Sequence, residues 1–251
     1  MRKGLWGRFG VVLCLTLMVS GFARAAESKD ALKNAETAIR SGLLKLNDKL
    51  LVDTVSDTPI NGVYQVVMKS GEVLYVSADG QYVFGGDLLK IGKNGLENLT
   101  EKIRSEQVRK TLAAQDPKDM IVFPAQGERK SVMYVFTDVD CGYCRKLHQE
   151  VPQLNSKGVE VRYLAFPRGG ENAPAYSRMV SAWCAKDRKQ AMTNLKSGQP
   201  IETLTCDNPV LDQYRLGASL GVRGTPALYL EDGRSIPGYQ PADALLKLMG
   251  I

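Results

Sequence analysis

Residues 131–151 read SVMYVFTDVDCGYCRKLHQEV, and this stretch decides the fold. Ser131–Thr137 is a β-branched, apolar run that reads as a strand, and from Cys141 to about Asn155 the text turns helical. Cys141-Gly142-Tyr143-Cys144 therefore follows a strand directly and opens a helix. A helix N-terminus carries roughly half a positive charge and unpaired backbone N–H groups. A thiolate at Cys141 is stabilised there, so its pKa is expected below the free value of about 8.5. The thiolate is the attacking species in disulfide exchange. Cys144, one turn further on, is close enough to resolve a mixed disulfide by forming the intramolecular bond.

Toward the C-terminus the pattern alternates. VEVRYLAF (159–166) is a second strand, followed by helical text from Ala173 to Lys196 and again from Asp207 to Leu220. ALYLED and RSIPGY form a hairpin around Asp232-Gly233, and Ala242–Met249 closes as a helix. Gly224-Thr225-Pro226 stands just before the ALYL strand. A proline opening a strand is tolerated because it lacks an N–H, and the sequence leaves open whether its peptide bond is cis. Strand, CxxC, helix and strand, then a late hairpin and a terminal helix, is the order of a thioredoxin-like fold with a helical insertion. In that fold the Thr-Pro loop faces the CxxC, so Thr225 borders the sulfurs and its backbone can pair with an extended substrate.

Toward the N-terminus the text differs. Leu32, Ala35, Ile39, Leu43 and Leu46 mark an amphipathic helix over Lys29–Leu46. Gly62–Phe84 reads as a meander, its short Val- and Tyr-rich strands separated by Ser70-Gly71 and Asp79-Gly80. A unit of about 60 residues is marginal alone and leaves sheet edges unpaired. Dimerising through edge strands answers both problems; packing the sheet on the other domain is the alternative. Gly85-Gly86 and Gly92–Gly95 loosen the chain, and a helix marked by Leu96, Leu99, Ile103, Val108 and Leu112 then reads as a connector ending at Asp116-Pro117.

The first 25 residues carry a positive n-region (Arg2, Lys3, Arg8), an apolar core (Val11–Val19) and an Ala23-Arg24-Ala25 cleavage site, the pattern of a secretory signal peptide. Cleavage removes four basic residues and no acid, so the formal charge of +6 falls to +2. A near-neutral surface gives no electrostatic case for nucleic acid. Cys14 leaves with the signal, and Cys141, Cys144, Cys184 and Cys206 remain, an even number in a compartment where disulfides persist. As half of a zinc site the CxxC would need a second CxxC or a Cys/His pair. The only histidine, His148, lies four residues past Cys144; three ligands from one helix make poor zinc geometry, and no metal is expected. The same spacing permits a thiol–imidazole contact, although a surface or packing role is the simpler reading of His148. Cys184 and Cys206 belong to no CxxC and flank the helical insertion. They read as a structural bridge contributing roughly 3 kcal/mol on the chain-entropy model, with a second redox pair as the alternative.

FTDVDCGYCRKLH, VRYLAFPRGG, AWCAKD, LGVRGTPALYL and IPGYQP resemble the periplasmic disulfide isomerases of the DsbC/DsbG family. The resemblance covers the whole mature chain and is most specific from about Ser131 to Pro241. It implies a mixed α+β and α/β chain: a signal peptide (1–25), a cystatin-like dimerisation domain (26–87), a linker helix (88–117) and a thioredoxin-like catalytic domain with a helical insertion (118–251). Two protomers would form a V-shaped homodimer around an apolar cleft that holds misfolded, disulfide-containing exported proteins in the periplasm, with chaperone activity beside isomerisation. Cys141 would be the nucleophile and Cys144 the resolving thiol. Gly142, Tyr143, Thr225 and Pro226 would form the active-site and substrate-binding loops, with Pro226 cis, and Cys184–Cys206 would be the structural disulfide. No cofactor is implied. A membrane thiol reductase of the DsbD type would keep the CxxC reduced. Arg145 departs from the family pattern, which has histidine there; its fixed charge is expected to lower the Cys141 pKa unless it points away from the sulfurs. Gly142 favours the DsbC-like branch over DsbG-like members, which usually read CPYC.

Two other readings use the same residues. A thiol-disulfide oxidase or DsbG-like reductase would run the same site with different redox partners, and the small N-terminal unit argues against a monomeric oxidase. A holdase chaperone would bind apolar surface without chemistry, and its binding would survive Cys141→Ala.

Overall fold

The computed structural model describes residues 15–251 apart from Asn94 and Pro237. The expected n-region, the start of the apolar core and Cys14 lie outside the described residues. Among those described, no helix is long and apolar enough to cross a membrane. The chain divides into two compact units between Gly86 and Asp87.

In the first unit, helix α1 (Leu15–Leu46) precedes strands β1 (Val52–Asp57), β2 (Val63–Met68), β3 (Val73–Ser77) and β4 (Val83–Gly85), an antiparallel meander in sequence order. Ala35, Ile39 and Leu43, four residues apart, put one helical stripe on Val52, Tyr64, Val66, Met68 and Val76 of the sheet. The approach is close because two facing residues lack side chains. A Cβ on Gly42 would lie 2.5 Å from Gly80 O, and one on Gly80, whose φ is +70°, would lie 2.6 Å from Ala38 O. Strand β1 was not marked in the sequence: VDTVSD is mostly polar, and it lies at the sheet edge with a bulge between Val52 and Thr54. The opposite edge, β4, exposes Val83 and Phe84.

The second unit opens with a two-stranded ribbon, β5 (Leu89–Gly92) and β6 (Gly95–Asn98), where the sequence suggested a loose glycine segment and a helix already marked by Leu96. Helix α2 (Leu99–Ala113) follows, capped by the Asn98 side chain, which accepts from Glu101 N at 2.9 Å. The remaining elements are β7 (Ile121–Phe123), β8 (Ser131–Thr137), α3 (Gly142–Ser156), β9 (Val159–Ala165), α4 (Pro174–Cys184), α5 (Arg188–Lys196), α6 (Val210–Ser219), β10 (Ala227–Leu230), β11 (Ser235–Ile236) and α7 (Ala242–Met249). The sheet order is β11-β10-β8-β9-β7, with β8 and β9 parallel and the other pairs antiparallel. The single helical stretch expected over Ala173–Lys196 is two helices, because Asp187 caps a new one by accepting from Gln190 N at 2.9 Å.

Strand β8 is central, and its alternation feeds two cores. Met133 and Val135 face α3, α4, α5 and α7, where Leu147, Met179, Trp183, Met192 and Leu245 are fully buried. Val132, Tyr134 and Phe136 face the other way, toward Leu164, Phe166 and Tyr229. Helix α2, read as a connector, packs on this second face through Leu112 and Val108. Gly233 makes that fit possible, since a Cβ there would meet Ser105 O at 1.8 Å. With helices on both faces, the C-terminal end of β8 is held rigidly, and that end carries the CxxC.

Candidate active site

Cys141 is the N-cap of α3, and its sulfur accepts a hydrogen bond from Cys144 N at 3.3 Å. Cys141 Sγ lies 3.1 Å from Thr225 O, to which it donates when protonated, so the loop before β10 lies against the motif. The Thr225–Pro226 peptide bond is cis. Both cysteines are free and buried, whereas Gly142 and Tyr143 between them are exposed. Tyr143 is held by stacking on Tyr239, with ring centroids 6.0 Å apart, and Lys146 Nζ lies 4.6 Å above the same Tyr239 ring.

The two thiols are electrostatically unlike. The hydrogen bond from the Cys144 thiol is the largest influence on Cys141; with the Thr225 hydroxyl, the Cys144 N–H and the charge of Arg168 it outweighs burial and brings the pKa down to about 5. Burial, then the hydrogen bond to Cys141, drives Cys144 far above the ordinary thiol range. At neutral pH the pair therefore holds one thiolate, on Cys141, and one proton, on Cys144.

Arg145 does not supply the charge. Its Nε donates to Val139 O at 3.0 Å and its guanidinium pairs with Asp140 at 3.7 Å. Arg168 supplies it instead, oriented by Asp138, whose carboxylate accepts from Arg168 N at 2.8 Å and Arg168 Nε at 3.0 Å. Asp138 is 2% exposed, and its other oxygen accepts from Asp140 N at 2.7 Å. These residues were passed over in the sequence, although the Asp-x-Asp before the CxxC is a signal for such a side-chain turn.

His148 is a packing residue turned from the sulfurs. Its Nδ1 meets Tyr163 OH at 2.9 Å and its Nε2 meets Thr193 Oγ1 at 3.1 Å. Thr193 already donates to Lys189 O, so Nε2 carries the proton and Tyr163 donates to Nδ1. Burial, aided by the charge of Lys196, lowers its pKa to about 4, so it stays neutral. Lys196 itself is a finding of the structure: its ammonium lies behind the motif, donating to Thr137 Oγ1 at 2.7 Å and Asp138 O at 2.8 Å. In sequence it is an ordinary basic residue in the last turn of a helix. Cys184 and Cys206 are bonded to each other, with Cα atoms 5.8 Å apart, tying the end of α4 to the segment before α6. Among the described residues no cluster of His, Cys, Asp and Glu could hold a metal ion.

Residues 117–250 match the thioredoxin-like domain family, and residues 23–101 match the family described as the disulfide bond isomerase protein N-terminal domain. The chain is 36% identical to the thiol:disulfide interchange protein DsbC of Escherichia coli K12, over 96% of this chain and 92% of that one. It is 39% identical to DsbC of Salmonella typhimurium, over 91% of this chain and 90% of that one. A solved disulfide interchange protein from Neisseria gonorrhoeae is 30% identical, with a TM-score of 0.49, covering 54% of this chain and 96% of that one. A strand leading into a CxxC at a helix N-terminus, a cis-proline loop against it and this likeness along nearly the full length agree: the chain belongs to the DsbC family of thiol:disulfide interchange proteins.

Proposed function

We propose that the chain is a thiol-disulfide isomerase that reshuffles wrong disulfides in exported proteins, with Cys141 as nucleophile and Cys144 as resolving thiol. The observation that carries the reading is the division between the two sulfurs, one low in pKa at the helix N-cap and one protonated behind it. The Cys141 thiolate attacks a substrate disulfide; one substrate sulfur bonds to Cys141 and the other leaves as a thiolate. That freed thiolate attacks another disulfide in the substrate and releases a further thiolate; this one, or the first returning directly, attacks the substrate sulfur of the mixed disulfide, a new substrate disulfide forms, and Cys141 leaves again as a thiolate. A low-pKa thiol leaves readily, so release is fast. When the substrate stalls, Cys144 loses its proton and attacks Cys141 Sγ. The Cys141–Cys144 disulfide forms, the substrate leaves reduced by two electrons, and the dithiol must be regenerated. A membrane thiol reductase of the DsbD type fits that need.

The loop of Thr225 and Pro226, with its backbone against Cys141, and the exposed Gly142-Tyr143 tip are the surfaces that would meet an extended substrate strand. The first unit serves dimerisation: it is a small meander whose edge strand β4 exposes Val83 and Phe84. Residues 1–25 act as the cleaved export signal, which puts the mature protein in the periplasm.

The test is refolding of a scrambled multi-disulfide substrate in a glutathione buffer with limiting protein. The wild type restores native disulfides and Cys141→Ser does not; equal recovery with both would sink the reading. Sedimentation of the wild type gives twice the chain mass if the first unit dimerises.

A further inference from the structure

Lys196, on the last turn of α5, is 4% exposed, an unusual place for an ammonium. Its hydrogen-bond partners are neutral oxygens, Thr137 Oγ1 and Asp138 O, and no carboxylate pairs with it among the described residues. Two of its three N–H donors are thus used and one is left over. The Tyr163 ring lies on another side, with its centroid 5.9 Å from Nζ. A buried ammonium with no directly paired carboxylate is unfavourable and leans on the anions near it: the Asp138 carboxylate, the Cys141 thiolate and, above both, Cys144 when it ionises. Cys144 is buried near the Asp138 backbone whose carbonyl holds Lys196, and among the surrounding charges it is the one that acts most strongly on the ammonium.

We propose that Lys196 is the buried counter-charge for Cys144: a positioning residue that stabilises the Cys144 thiolate of the resolving step and so governs escape from the mixed disulfide. This rests on the roles given above to Cys141 and Cys144. In the step, Cys144 gives its proton to solvent and its thiolate attacks Cys141 Sγ. The bond from Cys141 to the substrate sulfur breaks, and that sulfur departs as a thiolate and takes up a proton. The dithiol is oxidised by two electrons and the substrate disulfide is reduced by two. The groups that set the charge balance around Nζ are Cys141, Cys144, Arg145 and His148 on α3, Asp138 at the end of β8, and Tyr163 on β9. The cysteines and Asp138 favour the ammonium, while burial and Arg145 oppose it and bring Lys196 down to about 8. The species that resolves has Cys144 ionised and Lys196 protonated. Its population rises with pH and levels off once the first proton of the pair has left, at or below pH 8, because the mixed disulfide lacks the Cys141 charge that helps hold Lys196 up.

The experiment mixes the reduced full-length protein with a disulfide-bonded peptide, quenches with acid, and follows the mixed disulfide and the Cys141–Cys144 disulfide by mass spectrometry from pH 6 to 10. Wild type, Lys196→Met and Lys196→Gln are compared. Resolution in the wild type should level off at or below pH 8. Both variants should resolve about tenfold or more slowly at pH 7, the equivalent of one pKa unit on Cys144, and should keep accelerating above pH 8. Glutamine retains a donor for Thr137 and Asp138 but no charge, so recovery of the wild-type rate by Lys196→Gln would overturn the proposal. So would a wild-type profile with no plateau, a result that needs no variant to fold. If the wild type forms no mixed disulfide at Cys141, the reading of the site falls and this inference falls with it. If the mixed disulfide forms and resolves with Lys196 irrelevant, only the inference falls.

Discussion

Acidifying the reduced protein should protonate Cys141 near pH 5, and the consequences can be worked out. An ordinary thiol, with a pKa of about 8.5, is only about 3% thiolate at pH 7. A group brought down to about 5 is about 99% thiolate at the same pH. The sign follows from the depressed folded-state value. Stabilisation of the reduced fold by this thiolate is complete above the unfolded pKa, declines between about 8.5 and 5, and is gone below the folded pKa. At pH 7 about two units of the difference are realised, or on the order of 3 kcal/mol for a residue only 3% exposed. The assay is thiolate absorbance at 240 nm and iodoacetamide alkylation, each from pH 3 to 9, on the reduced protein and on Cys141→Ala. Absorbance and alkylation should rise together through pH 5 in the wild type only. An inflexion at pH 8 or above would refute the claim that the N-cap position, the Cys144 hydrogen bond, the Thr225 hydroxyl and Arg168 activate this sulfur.

Arg168→Ala should raise the Cys141 inflexion by under one pKa unit, because the arginine is half-exposed and screened; the same absorbance titration reads it. Cys184→Ser with Cys206→Ser should lower stability by roughly 3 kcal/mol in a denaturant titration while peptide exchange at Cys141 persists. Gly80→Ala should destabilise the first unit by about 2 kcal/mol or more, from its left-handed backbone and the collision with Ala38 O, and should lower the sedimenting mass.

The legible parts of this molecule were those where pattern and burial coincide. The run Ser131–Thr137 is a strand to the residue because both its faces are buried, and Ala242–Met249 is a helix to the residue because its apolar stripe is clean. The CxxC could be put at a helix N-terminus because a strand ended four residues before it. What escaped was short or decided by tertiary contact. Strand β7 has three residues, too few for a period, and is a strand because it pairs with β9. The break between α4 and α5 hinges on a capping aspartate inside helix-favouring text. Arg145 sits next to the motif in sequence, yet the charge that reaches Cys141 belongs to Arg168, 27 residues away. Lys196 looks like a surface lysine on a helix end; only the packing of α5 under the end of β8 turns it inward. His148 shows both sides: its place one turn past Cys144 was readable, but its partners Tyr163 and Thr193 come from other elements.

The central claim is that Cys141 attacks and Cys144 resolves. Reduced Cys144→Ser, mixed with a disulfide-bonded peptide and mapped by mass spectrometry, tests it most directly. The account predicts one long-lived adduct, on Cys141, that the wild type sheds within the same time. No adduct, or one carried by another residue, would contradict it.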